Sequence, residues 1–211
     1  MKGVTEVAFI QLSADHNTEE LKEVLEKTQQ VQTQWILRHQ PQLLEGKPYS
    51  HTTDIWISED DSPRLLLTAP WESVDAHNEW IQSQENISLM QELKKFIRQD
   101  QDSVLLYHWT PVKGTNGFRG DTFARGPVKI WKISVKPEEK AKLEKAFHAV
   151  ETQSSTETSQ MMWAGWKVEE EGRENMVILA SPSCEELIES GIASKLEDTR
   201  VSRFEHKPLM H

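Results

Sequence analysis

Cysteine is almost missing from this chain. Of 211 residues only Cys184 carries a thiol. No internal disulfide can form, and a reducing, cytoplasmic setting is the expectation. Long apolar runs are missing too. Nothing approaches the roughly 20 residues that a membrane-spanning helix needs. The N-terminal stretch MKGVTEVAFIQLSADHNTEE alternates and soon turns acidic, so it reads as a strand and not as a signal peptide. Positive charge is in deficit, with 24 Lys and Arg against 34 Asp and Glu, a formal charge of −10. That balance opposes a nucleic-acid footprint, which needs a basic stripe to replace counterions. It equally opposes an anionic membrane surface.

The usual metal signatures are lacking as well. There is no HExxH, no Cys cluster and no close His-x-His, so no metal is expected. No Gly-rich loop follows a strand in a βαβ unit, so nucleotide binding lacks its physical basis. No cofactor is expected. Cys184 falls at a helix start, where a thiol pKa can drop, but no His stands near it in sequence.

What is present is an ordered series of elements. Residues 4–12 form a β-rich strand, and Asp15 to Thr18 can cap a long amphipathic helix carrying Leu21, Leu25 and Trp35. HTTDIWISE (51–59) and RLLLTAP (64–70) read as a hairpin. Ser73 can cap a second helix from Val74, broken near Gln84 to Ser88, and SVLLYHWTP (103–111) is a fourth strand. The order β-α-β-β-α-β is the ferredoxin-like pattern.

After the Gly-rich stretch 113–123, read as a linker, the order repeats over roughly 124–211. PVKIWKISV is a strand, Pro137 opens a helix, and MWAGWKVEEE with ENMVILAS forms a hairpin around Glu171 and Gly172. Ser183 can cap the next helix, and VSRFEHKP closes the unit. Trp56 and Trp166, Leu67 and Val177, and Ser73 and Ser183 share one spacing of 110 positions. The expected fold is α+β, with two tandem ferredoxin-like units, 1–112 and 124–211, whose antiparallel sheets face each other as a pseudo-dimeric α/β barrel. Such a chain satisfies internally an interface that a single unit makes by dimerising, so a monomer is expected.

The segment WESVDAHNEWIQS, with Trp71, Ser73, Asp75, Trp80 and Ser83, followed by LLYHWTP, resembles the antibiotic-biosynthesis-monooxygenase-like family of dimeric α/β barrels. The resemblance implies paired ferredoxin-like units. It also implies an activity drawn from a wide set: cofactor-free quinone-forming oxygenation, haem degradation, polyketide cyclisation, isomerisation or decarboxylation, or none. The chain departs from several of these patterns. Met90 stands where haem-degrading relatives carry an axial His, and the first strand has no Asn. Gln84, Glu85 and Asn86 stand where polyketide cyclases carry a catalytic His. In the second half Ser181 and Ser190 replace Trp71 and Trp80.

Eight tryptophans and eight histidines supply the candidate chemistry. Most indoles are core by their area alone. Trp80 is the best cavity candidate, because the resemblance places it beside the pocket. His77 shares its helix face three residues earlier, although its setting reads as exposed. His108 lies in a mostly apolar strand and titrates near neutrality, so it can move a proton. His108 and Glu85 are therefore the expected acid/base groups, with Trp80, Tyr107, Trp71 and His77 shaping the site. The expected function is a cofactor-independent enzyme acting on an aromatic or polyketide-like small molecule. A non-catalytic binder and a structural or stress-response protein are the alternatives, and the expected partner is a hydrophobic or aromatic small molecule.

Overall fold

A computed structural model describes residues 3–43, 52–58, 62–112, 126–153, 162–169 and 172–192, and the backbone of 200–208. The strands are β1 (Val4–Gln11), β2 (Asp54–Ile57), β3 (Arg64–Trp71), β4 (Val104–Pro111), β5 (Val128–Val135), β6 (Met162–Lys167), β7 (Glu174–Ala180) and β8 (Arg200–Pro208). The helices are α1 (Thr18–His39), α2 (Val74–Ile81), α3 (Gln84–Leu93), α4 (Lys140–Gln153) and α5 (Glu185–Gly191). The eight strands close into one barrel in the order β1-β3-β2-β8-β5-β7-β6-β4. Every pairing is antiparallel. Each half contributes its strands in the sequence 4-1-3-2, and the seams β2·β8 and β4·β6 join the halves. The expected fold is therefore present. The expected linker, His51, Glu171 and His211 lie outside the described residues.

Burial explains why the strands alternate so weakly. In β1 six consecutive residues, Thr5 to Ile10, are buried. One face points into the barrel and the other under the helices, so both must be largely apolar. Val7, Phe9, Trp56, Leu66, Trp109 and Trp163 fill the lumen. An eight-stranded barrel is just wide enough to be filled by side chains. Outside it, Ala8, Ile10 and Leu65 meet Leu21 and Leu25 of α1. Ile133, Ala164 and Ile178 meet Leu143 and Phe147 of α4.

The caps hold in the first half only. Asn17 accepts from the backbone N–H groups of Glu19 and Glu20. Ser73 caps α2 and Ser83 caps α3, so the break falls at Gln82–Ser83, just before the expected Gln84 to Ser88, which are helical. Ser183, by contrast, sits inside a 3-10 turn, and α5 has no side-chain cap. The shared spacing of 110 also fails as a structural match. Trp56 points into the lumen and Trp166 under the helices, and Leu67 and Val177 are opposed likewise. A one-residue slip in a strand exchanges its faces. The order of elements matches between the halves, but this spacing does not.

The seam gives a sharp test. A Cβ built on Gly165 would lie 2.6 Å from the Trp163 ring and 3.0 Å from Trp109 Cβ. Both indoles are locked in the lumen, so neither can yield cheaply. Gly165→Ala should lower stability by about 1–3 kcal/mol through overpacking. Urea unfolding checks this, and an unchanged midpoint would show that the lumen has slack.

Candidate functional site

The second strand position of β1 that faces the helices after Val4 is Glu6, a carboxylate set among apolar neighbours. Its register partner in β4 is His108, so the two side chains lie side by side on the sheet. Above them runs α2. Only two of its side chains are buried, His77 and Trp80, three residues apart on the face turned to the sheet. Gln40, just past α1, steadies the start of α2 by donating to the Ala76 carbonyl and accepting from Glu72 N–H.

These residues form one continuous chain of polar contacts. Trp71 Nε1–H donates to Glu6 Oε2 at 2.9 Å. Glu6 Oε2 meets His77 Nε2 at 3.2 Å. His77 Nδ1 meets His108 Nε2 at 2.7 Å. His108 Nδ1 meets Glu169 Oε1 at 2.8 Å. Glu169 follows β6 across the seam and also accepts the backbone N–H of His108 at 3.0 Å. The two histidines are 1% and 5% exposed, and Glu6 is 8% exposed. The Glu169 side chain is 39% exposed, so the chain runs from solvent to the core.

Aromatic rings wall one side. Trp71 stacks on His77 with centroids 4.4 Å apart. Trp80 stacks on Trp71 at 6.4 Å and tilts against Trp35 at 5.6 Å. Trp35 in turn stacks on the exposed His39 at 4.2 Å. The indoles touch one another, so the space under α2 is filled as it stands.

Burial sets the protonation. It pushes Glu6 up from 4.5 to about 7, opposed in part by the Trp71 hydrogen bond. It pulls His77 down from 6.5 to about 3, helped by the neighbouring His108, which disfavours a second positive ring beside it. The geometry also calls for one more proton on the row. With both carboxylates ionised and both rings neutral, two protons would serve three contacts, and one pair of lone pairs would face each other in a buried gap. A third proton on the chain removes that repulsion.

The structure corrects several expected roles. His77 is buried at the centre of the chain and not exposed. Glu85 stands in the first turn of α3, where its backbone hydrogen bond first, and then Arg38, paired with it at 3.1 Å, hold its carboxyl below the usual range; it does not reach His108. Tyr107 points into the lumen, where the Lys167 ammonium lies 3.7 Å from its ring centroid, so the sheet separates it from Trp80. Trp71, Trp80, His77 and His108 do come together. Met90 is exposed on α3. Both ring nitrogens of His77 are already engaged, so neither residue offers haem an axial ligand. Among the described residues no group of three or more His, Cys, Asp or Glu is placed to hold a metal ion. No helix among them is long and apolar enough to cross a membrane.

Sequence reasoning missed two members. Glu6 had a signal, a charge on the helix-facing side of an otherwise apolar strand. Glu169 had none, because it opens the acidic run 169–171 that reads as a solvated turn. An open groove of about 880 Å³ lies elsewhere, between Leu12, Ser62, Lys94 and Arg98, and none of the site residues lines it. The buried chain is the better candidate, since the groove presents surface lysines and an arginine at an open rim.

Known structures share the fold. A protein of Fusobacterium nucleatum described as a candidate monooxygenase superposes with a TM-score of 0.61 at 9% identity, over 99% of this chain and 93% of its own. One of Lactobacillus acidophilus, described in the same way, gives 0.58 at 11% identity, over 99% and 93%. A protein described as anthrone oxidase-like gives 0.51 at 10% identity, over 100% and 92%. At these identities the likeness is one of fold. No family model matches the chain, and no curated protein matches its sequence.

The two shifted groups make a signed prediction. Glu6, with its pKa raised, contributes stability that is present below 4.5 and lost as pH rises through about 7. His77, with its pKa lowered, contributes stability that is present above 6.5 and lost as pH falls through about 3. Between 4.5 and 6.5 the folded chain keeps on Glu6 the proton that the unfolded chain keeps on His77, so the two slopes cancel. The groups facing the pair are His108 from β4, Trp71 from β3 and Glu169 from beyond β6. Relative to wild type, Glu6→Gln should gain stability with rising pH across that window. His77→Phe should lose it, each by about 1.4 kcal/mol per pH unit at most. Urea midpoints at three pH values measure the difference; parallel curves for all three proteins would refute the assignment.

Proposed function

We propose that this protein is an acid–base enzyme that works without a cofactor on an aromatic small molecule, at the face of β1 and β4 covered by α2. The single observation that carries the reading is the unbroken buried chain from Glu6 through His77 and His108 to Glu169. A proton carrier held in a dry site at a pKa near neutrality is what general acid–base catalysis requires. The stacked Trp71 and Trp80 supply flat apolar surface suited to a planar ring. A ligand reaches His108 when α2 swings out, carrying Trp80 and His77 with it and freeing His108 Nε2. That helix is eight residues long, is held by two buried side chains and ends at the break before α3.

The name of one structural neighbour, anthrone oxidase-like, suggests a first substrate class. An anthrone carries an acidic C–H. Loss of that proton to the freed His108 Nε2 leaves a carbanion that dioxygen oxidises. The products are the anthraquinone and one water, so atoms and electrons balance with dioxygen as the oxidant. Cyclisation, isomerisation and decarboxylation begin with the same proton transfer and use the same residues.

The filled indole cluster favours a second reading, a non-catalytic protein in which the chain only ties α2 to the sheet. Anthrones and related phenolic polycycles should be screened by oxygen uptake and quinone absorbance. On the acid–base reading, His108→Gln lowers turnover by roughly 10²-fold or more, with little change in ligand affinity. Glu85→Gln leaves turnover as it is. Binding that quenches tryptophan fluorescence, with no turnover in either protein, would establish the second reading in place of the first.

A further inference from the structure

Three contacts in series need three protons, and with both rings neutral two arrangements of those protons satisfy all of them. In the first, Glu6 donates an O–H to His77 Nε2, His77 donates from Nδ1 to His108 Nε2, and His108 donates from Nδ1 to the Glu169 carboxylate. In the second, every proton has crossed its own contact. Glu169 donates to His108 Nδ1, His108 Nε2–H to His77 Nδ1, and His77 Nε2–H to the Glu6 carboxylate. Three O–H or N–H bonds break and three form. The net result is one proton carried from Glu6 to Glu169, with both imidazoles neutral at the end.

The ends of the chain are matched for this exchange. An ionised Glu6 keeps the Trp71 Nε1–H donor at 2.9 Å. An ionised Glu169 keeps the His108 backbone donor at 3.0 Å. Each carboxylate therefore retains one fixed donor whichever end holds the charge. The distances, 3.2, 2.7 and 2.8 Å, leave no gap that needs a water. Only the outer end is open, since the Glu169 side chain is 39% exposed and the His108 side chain 6%.

We propose that Glu169 is the solvent port of a proton wire that loads and unloads the buried Glu6 through His108 and His77. Glu169 comes from the second half of the chain and acts across the β4·β6 seam. It is a positioning and proton-exchange residue, not one that touches substrate. The proposal rests on the acid–base reading for its purpose, though not for its existence. After a substrate gives its proton to His108 and α2 closes again, the wire returns the site to its starting state through Glu169.

The test needs no substrate. Full-length protein labelled with ¹⁵N-histidine reports the tautomers of His77 and His108 through their ring nitrogen shifts. Solvent exchange of the ring N–H protons reports the wire. His77→Gln and His108→Gln assign the signals. Glu169→Gln keeps an oxygen to accept from His108 but cannot take up a proton, so exchange should slow by roughly 10²-fold. Glu169→Asp keeps an ionisable group on a shorter stem, so its exchange should stay near the wild-type rate. A mere clamp would rank the two variants the other way, because the aspartate loses the better hydrogen bond. That ranking, a wild-type rate in Glu169→Gln, or a charged His77 ring at pH 6 would each overturn the wire. Rapid exchange that depends on Glu169, in a protein with no turnover on any substrate, would sink the enzymatic reading and leave the wire intact.

Discussion

Closure of the sheet is the constraint on which the rest of the structure depends. Each four-stranded half has apolar residues on both faces, so neither half can stand with one face in water. Joining β2 to β8 and β4 to β6 turns the two inner faces into one packed lumen and leaves no sheet edge. The outer faces are then free to take helices. This division explains why Tyr107 and His108, neighbours in sequence, belong to separate environments. It also explains why Glu169, distant in sequence, can reach His108: the seam brings the end of β6 against β4, where Val168 N–H donates to the His108 carbonyl.

The fold was legible because its evidence is redundant. Strand runs, a helix cap at Ser73, turn residues and the repeated order of elements all favour one answer. Residue-level matching between the halves was not legible. Short strands buried on both sides show little alternation, so nothing in the composition of RLLLTAP or MWAGWK says which residues face inward. The site was half visible. His108 stood out as a lone polar group in an apolar strand, and Trp80 and His77 shared a helix face. Whether His77 was buried depended on how α2 docks, and that is set by Gln40, Trp71 and the sheet rather than by the helix's own sequence. Glu85 attracted interest as a charge at a suggestive position, but a carboxylate one turn into α3 lies within reach of Arg38 on α1. Glu169 came from the wrong half for any local argument to find it.

Proton count links the packing to the chemistry. A buried carboxylate and two buried imidazoles are costly to charge, and each finds a partner only if the whole row holds three protons. The raised Glu6 and the lowered His77 express one fact, a proton kept on the carboxylate and not on the ring. The tryptophans contribute by excluding water, which would otherwise serve each group separately and dissolve the row into independent solvated side chains.

The second half shows what a purely mechanical solution looks like in this fold. The strand register places Lys129 of β5 opposite Ala180 of β7 and Glu205 of β8. Glu6 of β1 sits in the same relation to Ala69 of β3 and His108 of β4. At this matching place Lys129 ties the sheet to α5 through Glu185, at 2.7 Å. An ordinary ion pair therefore does in one half the docking that a row of titratable groups does in the other. An ion pair of this kind holds its helix without moving a proton. If docking α2 were the whole task, the first half could use such a pair and avoid burying two imidazoles. Joining the halves in one chain lets these places differ, which a symmetric pair of identical units could not do. The histidines stand on the side where their carboxylate partner across the seam is half in water.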